Sequence, residues 1–169
     1  MILVVNSGSS SIKYQVIDPL SGERSASGLV ERIGEAKAGR IVHRSDGVSF
    51  ERDLPLPDHT AGFAAMVAAF AAAGTPIDGL GIAAVGHRVV QGGSEFIEPT
   101  LIDDAVAERI IELAELAPLH NPGHHAAIVA ARAAFPGLPQ VAVFDTAFHQ
   151  TMPPEAYTYA VPLEIASQY

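Results

Sequence analysis

Met1-Ile2-Leu3-Val4-Val5-Asn6-Ser7-Gly8-Ser9-Ser10-Ser11-Ile12-Lys13-Tyr14-Gln15-Val16-Ile17 opens the chain and sets its character. An apolar run over 2–6 stops at Asn6, and five small residues follow. A partly alternating stretch then resumes at Ile12 and ends at Asp18-Pro19. Apolar patterning on both sides of a glycine-containing break predicts strand, tight turn, strand. No basic region precedes the apolar run and no small-residue cleavage site follows it, so it reads as a buried strand instead of a secretion signal.

Working outward, 27–33 is a candidate third strand, and 40–43 with 48–52 flank Ser45-Asp46-Gly47. Asp-Gly between apolar stretches is a strong hairpin signal. The periodicity then changes. Phe63, Met66, Val67 and Phe70 predict a helix over 58–73, with Asp58 or Thr60 as cap and Gly74 at its end. Residues 81–90 read as a buried strand, and 103–113 as a helix with Val106, Ile110 and Leu113 on one face. Asn121-Pro122 predicts an N-cap and first helical position for a helix running to about 134. A last buried strand covers 141–144 and delivers Asp145 at its carboxyl end. Hairpins followed by α, β, α, α, β suit an α/β domain with a mixed sheet and flanking helices. Domain boundaries are expected at 1–150 for the domain and 151–169 for the start of a connection to a second domain, since no closing element follows Val161-Pro162.

Bulk composition narrows the function. With 169 residues and 49% apolar content, the chain can bury a real core. No apolar run reaches the eighteen or so residues of a membrane span. The absence of cysteine removes disulfides, thiolate metal sites and cysteine nucleophiles, and fits a cytoplasmic location. A net charge of -9, with Lys13 and Lys37 as the only lysines, argues against a nucleic-acid binder. A nucleotide can still bind such a protein through a divalent cation and a few placed positive groups.

Four segments can carry chemistry, each beside a plainer reading. In Asn6-Ser7-Gly8-Ser9-Ser10-Ser11-Ile12-Lys13, turn amides and hydroxyls can cradle phosphate oxygens, Lys13 can add a point charge, and Asn6 can hold a metal ion. The alternative is a serine-rich turn; the spacing is not that of a Walker A loop. In Gly86-His87-Arg88-Val89-Val90-Gln91-Gly92-Gly93, the Arg88 guanidinium suits a carboxylate, and Val90 an apolar tail. The alternative is an ion pair at a strand edge. In Leu116-Ala117-Pro118-Leu119-His120-Asn121-Pro122-Gly123-His124-His125, three histidines suggest zinc. However, Asn121-Pro122 places His120 ahead of the helix, and no His-Glu-x-x-His pattern is present. A capped helix with surface histidines, with Leu119 and His120 at a cleft, is the simpler account. In Phe144-Asp145-Thr146-Ala147-Phe148-His149, Asp145 can serve a metal or act as a base, or else cap the next turn.

In order and wording these four segments together resemble the acetate kinase family, over residues 1 to about 162. The resemblance implies a ribonuclease-H-like domain of the sugar kinase, actin and heat-shock ATPase superfamily. It implies ATP-dependent phosphorylation of acetate to acetyl phosphate, with Mg2+ or Mn2+, usually in a homodimer. Carried over by motif, Asn6 would contact the metal, and Lys13 the nucleotide phosphates with Ser9 and Ser11 near them. Arg88 would bind the acetate carboxylate, Val90 and Leu119 would wall its methyl group, His120 would lie near the transferred phosphoryl group, and Asp145 would be the catalytic carboxylate. Gln91 stands where the family usually has histidine, which implies a tuned site. Later family motifs for phosphate, adenosine and metal lie beyond these residues, so a catalytically incomplete half is an expectation too. A propionate- or butyrate-preferring kinase is the nearest alternative, and an actin-like structural ATPase a more distant one.

Overall fold

The computed structural model describes residues 1–166. β1 (Ile2–Ser7) and β2 (Ser11–Ile17) form the opening hairpin, and β3 (Arg24–Glu31), β4 (Gly39–Ser45) and β5 (Val48–Leu54) continue it as an antiparallel meander. After α1 (His59–Ala72), β6 (Ala84–Val89) returns parallel to β1. The short β7 (Thr100–Leu101), α2 (Asp104–Glu112) and α3 (Asn121–Ala134) lead to β8 (Gln140–Phe144), which is parallel to β6. Two four-residue helices, α4 (Pro154–Tyr157) and α5 (Leu163–Ala166), follow. The eight strands lie in the order β5-β4-β3-β2-β1-β6-β8-β7.

Side-chain alternation explains why the sheet has two unlike faces. Leu3, Val5, Ile12, Tyr14 and Val16 are buried against Phe63, Met66 and Phe70 of α1 and Ala127 and Ala131 of α3. Val89, Ala142 and Phe144 form a second cluster with Ala107 and Ile110 of α2 and Ile128 of α3. The opposite face carries Val4, Asn6, Lys13, Gln15, Arg88 and Val143, which are partly or largely exposed.

The expected hairpins and helices form, with local causes that can be named. Asp46 (φ 47°) and Gly47 (φ 77°) make the left-handed pair that a two-residue hairpin turn demands. Asp58 Oδ1 accepts from the Ala61 amide at 2.8 Å, and Asp103 Oδ1 from the Val106 amide at 2.8 Å, so both helices start on aspartate caps. Asn121 is a correction. It lies inside α3, and the residue at the cap position, His120, makes no side-chain cap bond. Instead the Asn121 amide, fully buried, donates to the carbonyls of Gln91 and Ile110 at 3.0 Å each and accepts from the Gln91 amide at 3.3 Å. Long-range demand from the loop at Gln91 and from α2 at Ile110 outcompetes the local capping preference. β7 and the 3₁₀ turns at 77–80, 113–115 and 145–151 have no counterpart in the expected pattern, because each is too short to show a period.

Candidate active site at the strand ends

β1, β6 and β8 are parallel neighbours, and their carboxyl ends meet at one edge of the sheet. Such ends are where open α/β sheets bind ligands. Register places the side chains there. Val143 lies opposite Arg88, so Asp145, two residues later, falls on the same face. Val5 lies opposite His87, so Asn6 and Arg88 sit side by side.

The three side chains touch. Arg88 Nε donates to Asp145 Oδ1 at 3.0 Å and Nη2 to Asp145 Oδ2 at 2.5 Å, a two-pronged ion pair. Arg88 Nη1 donates to Asn6 Oδ1 at 3.2 Å. The ion pair entertained as the plain alternative for Arg88 is therefore present, and its partner is the other candidate. The Asp145 carboxylate reaches Arg88 instead of capping the 3₁₀ turn that it begins. Lys13 lies opposite Asn6 in the β1–β2 register. Asn6, Lys13 and Arg88 line one hollow of about 700 Å³ on the open face, with Val4, Gln15 and Leu29.

The Ser-Gly turn sits at the same edge. The Gly8 amide bonds the Ser11 carbonyl at 2.8 Å, and the Ser10 carbonyl accepts from Ile33 at 3.0 Å. The Gly8 carbonyl takes a bond from His59 Nε2 at 2.9 Å. Among the described residues, the amides of Ser9 and Ser10 are given to no backbone acceptor outside regular elements, and neither residue lies in a strand or helix. Two free amides in a tight turn can form an anion-binding concavity. Ser11 lies at the start of β2, behind the turn.

α3 begins beside the turn. A Cβ on Gly123 would lie 2.9–3.0 Å from Gly8 O, Gly8 C and Ser9 N, so only glycine permits this approach. His124, 2% exposed, lies 3.5 Å through Nδ1 from Ser7 Oγ and stacks on His120 with ring centroids 6.4 Å apart. Burial, with Arg88 and His120 adding positive charge, pushes the His124 imidazole down to about 4. It is thus a buried neutral histidine, and the expectation of surface histidines fails at this position. No cluster of three His, Cys, Asp or Glu side chains placed to hold a metal ion occurs among the described residues. His120 is exposed on the turn ahead of α3, as is Leu119 at 79%. Val90 stands just past the end of β6, and Gln91 bends back to accept from the Gly93 amide at 2.9 Å. Neither Val90 nor Leu119 lines the hollow that holds Asn6, Lys13 and Arg88.

His59 and Gly123 were not singled out from the sequence, and His124 only as one of three histidines weighed for zinc. His59 follows a helix cap, Gly123 follows a proline, and nothing local marks either as a neighbour of a turn some fifty or more residues away.

This mixed sheet with helices on one face and a Ser-Gly turn at its strand ends is the fold of the sugar kinase, actin and heat-shock ATPase superfamily. The model of the acetokinase family matches residues 1–169. The acetate kinase of Leifsonia xyli subsp. xyli is 56% identical over 168 residues, which is 99% of this chain and 42% of that protein. Among solved structures, the acetate kinase of Porphyromonas gingivalis superposes with a TM-score of 0.88 at 35% identity. It is covered to 42% of its length by 99% of this chain. A propionate kinase from Francisella tularensis subsp. tularensis gives 0.85 at 39% identity, with the same coverage of both chains. The chain belongs to the acetokinase family. It spans 42% of the length of these relatives.

Proposed function

We propose that this chain supplies the carboxylate-binding and part of the phosphate-binding half of a kinase that transfers the ATP γ-phosphoryl group to acetate. The observation that carries this reading is the Asn6–Arg88–Asp145 cluster at the ends of three strands, beside a turn with free amides, in an acetokinase chain.

Arginine has five N–H donors. Three are engaged, by Asp145 twice and Asn6 once, which leaves one on each terminal nitrogen. A pair of donors on adjacent nitrogens matches the two oxygens of a carboxylate. Asp145 and Asn6 therefore hold the guanidinium while its free edge takes the substrate. Acetate, with a carboxyl pKa near ~4, is already ionised and has no proton to lose. A general base contributes little in this direction, and Asp145, committed to Arg88, has another task. The difficulty is that two anions must approach in line, so positioning and charge neutralisation carry the catalysis. Arg88 serves the acid, Lys13 and the Ser9–Ser10 amides the phosphates, and His120 faces the transferred group. Val90 and Leu119, outside the hollow in this arrangement, close on the methyl group when the rest of the cleft is in place.

A divalent ion fits the donor set in the manner magnesium prefers, with one carboxylate, a side-chain carbonyl and the substrate phosphates. Asp145 and Asn6 would hold it through lone pairs not given to Arg88. Bound there, Mg2+ or Mn2+ would supply charge neutralisation at the β,γ-phosphates. The remaining phosphate, adenosine and metal contacts belong to a second domain, for which 151–169 begins the connection. Among the described residues no helix is long and apolar enough to cross a membrane, and cytoplasmic residence as a homodimer completes the proposal.

Propionate is the second reading, favoured by the likeness to a solved propionate kinase. The test is acyl phosphate formation, trapped as hydroxamate, from ATP, magnesium and each acid in turn. It uses the protein at the full length of its relatives. Production from acetate supports the proposal, and production only from longer acids moves it to the second reading. Hydrolysis of ATP without any acid would sink both and restore a structural ATPase.

A further inference from the structure

Outside the Arg88 cluster, the contact with the clearest chemical direction is the one between α1 and the Ser-Gly turn. His59, the first residue of α1, is 9% exposed, and its Nε2 lies 2.9 Å from the Gly8 carbonyl oxygen. A carbonyl only accepts, so Nε2 carries the proton and the imidazole donates. The Gly8 carbonyl and the Ser9 amide belong to one peptide unit, which is planar and trans, so the two point in opposite directions. Fixing the oxygen towards α1 fixes the Ser9 N–H away from it. Gly123 of α3 completes the restraint. Its added Cβ would be near-equidistant, at 2.9–3.0 Å, from Gly8 O, Gly8 C and Ser9 N, which places the α3 backbone over the flat of that same peptide. One neighbour sets the rotation of the peptide and the other its tilt. A hydrogen bond to the carbonyl also polarises the unit and strengthens the amide at its other end.

We infer that His59 is a positioning residue for nucleotide phosphate: through the Gly8 carbonyl it aims the Ser9 amide at the anion, with Gly123 as its backstop. The inference rests on the reading of the turn as a phosphate cradle given under the proposed function. His59 touches neither phosphate nor acid.

The experiment measures binding of ADP and of adenosine by calorimetry, with magnesium, to the protein at the full length of its relatives. His59→Leu keeps the bulk of the ring and removes the donor. His59→Gln returns an N–H at about the same reach. Hydrogen bonds to charged groups are among the strong ones, so ADP affinity should fall about tenfold in His59→Leu. Adenosine affinity should be unchanged, and His59→Gln should recover most of the loss. Gly123→Ala should give the same ADP-selective defect by displacing the peptide, and it carries the test if His59→Leu does not fold. ADP binding equal to the parent in His59→Leu or Gly123→Ala overturns the inference. So does an equal loss of ADP and adenosine, or a His59→Gln variant as weak as His59→Leu. The two readings separate cleanly. A parent that binds ADP in this pattern but makes no acyl phosphate loses the proposed reaction and keeps the His59 role. A parent that makes acyl phosphate while His59→Leu binds ADP normally loses the role alone, and a parent that binds no ADP loses both.

Discussion

Replacing Asp145 with asparagine separates two tasks assigned to one carboxylate. In the native arrangement both oxygens accept from Arg88, at 3.0 and 2.5 Å, and Asn6 holds the third nitrogen at 3.2 Å. An amide keeps one acceptor and turns an NH2 towards a guanidinium that offers only donors. One of the two bonds is lost, and the remaining contact becomes partly donor against donor. The pair is 46% and 43% exposed, so its contribution to stability is screened, and unfolding should change by no more than about 1 kcal/mol. The cost falls on the substrate instead. A free arginine side chain has about 2 kcal/mol of rotamer freedom, which acetate would then have to remove on binding. Asn6 still restrains one nitrogen, so a loss of roughly 1.4 kcal/mol, or about tenfold in acetate KM, is expected. If the outer lone pairs of Asp145 also face the metal, half-saturation by magnesium shifts upward and turnover falls by roughly a hundredfold or more. The assay is hydroxamate-trapped acyl phosphate against acetate, ATP and magnesium separately, in the protein at the full length of its relatives. An unchanged acetate KM would refute the holding of Arg88 by Asp145. Unchanged magnesium dependence would refute the metal-facing task.

Acid should unfold the domain through its buried neutral histidines. The His124 imidazole has a folded value of about 4, below the ordinary ~6.5, so the unfolded chain binds the proton first. Stability is full above ~6.5 and declines by about 3 kcal/mol as pH falls to 4; His124→Asn should flatten that limb in thermal melts. Gly28→Ala should destabilise by about 3 kcal/mol, measured in urea, because its Cβ would fall 2.2 Å from the Tyr14 ring, which is itself tied to His43 at 2.8 Å. Asn121→Ala leaves the Gln91 amide and the Gln91 and Ile110 carbonyls without their partner. It should cost about 3 kcal/mol in the same assay, and a loss under about 1 would contradict the clamp. If Val90 and Leu119 wall the methyl group, propionate should react more slowly than acetate by the equivalent of about 1–3 kcal/mol, and equal rates for acetate and butyrate would remove them from the pocket.

Most of the architecture was legible because it follows from local chemistry. Asp58 and Asp103 announce helix starts, Asp46-Gly47 announces a turn, and the shift from alternation to helical spacing at Phe63 announces the move from meander to crossover. The candidate site was legible as separate residues and not as a network. Arg88 and Asp145 were each suspected, yet their pairing depends on β6 and β8 being neighbours in a register that sets Arg88 against Val143, and periodicity carries no information on register. Asn121 shows the opposite failure. Its sequence context is an ideal cap, and only the positions of Gln91 and Ile110 in space reveal a stronger claim on its amide. The burial of His59 and His124 was invisible for the same reason, since a histidine near a helix start has no sequence mark that separates surface from buried contact.

The strand that made the fold readable also sets the geometry of the proposed chemistry. β1 carries Asn6, which holds one nitrogen of the arginine, and runs at once into the turn whose Ser9 and Ser10 amides are proposed to face phosphate. Ser9 is three positions after Asn6, so the two anchors stand at most about 10 Å apart. That distance admits a small carboxylate and one phosphoryl group in line, and little more. Both ends are restrained by elements far away in sequence, Arg88 by Asp145 and the turn by His59 and Gly123. Because phosphoryl transfer gains its rate from positioning more than from covalent help, a rigid short span between two opposed anion sites is what the proposed reaction would require of these residues. Lengthening the turn by one residue should therefore spoil the reaction even where each substrate still binds. Retained turnover in such an insertion would show that the span is not the controlling dimension.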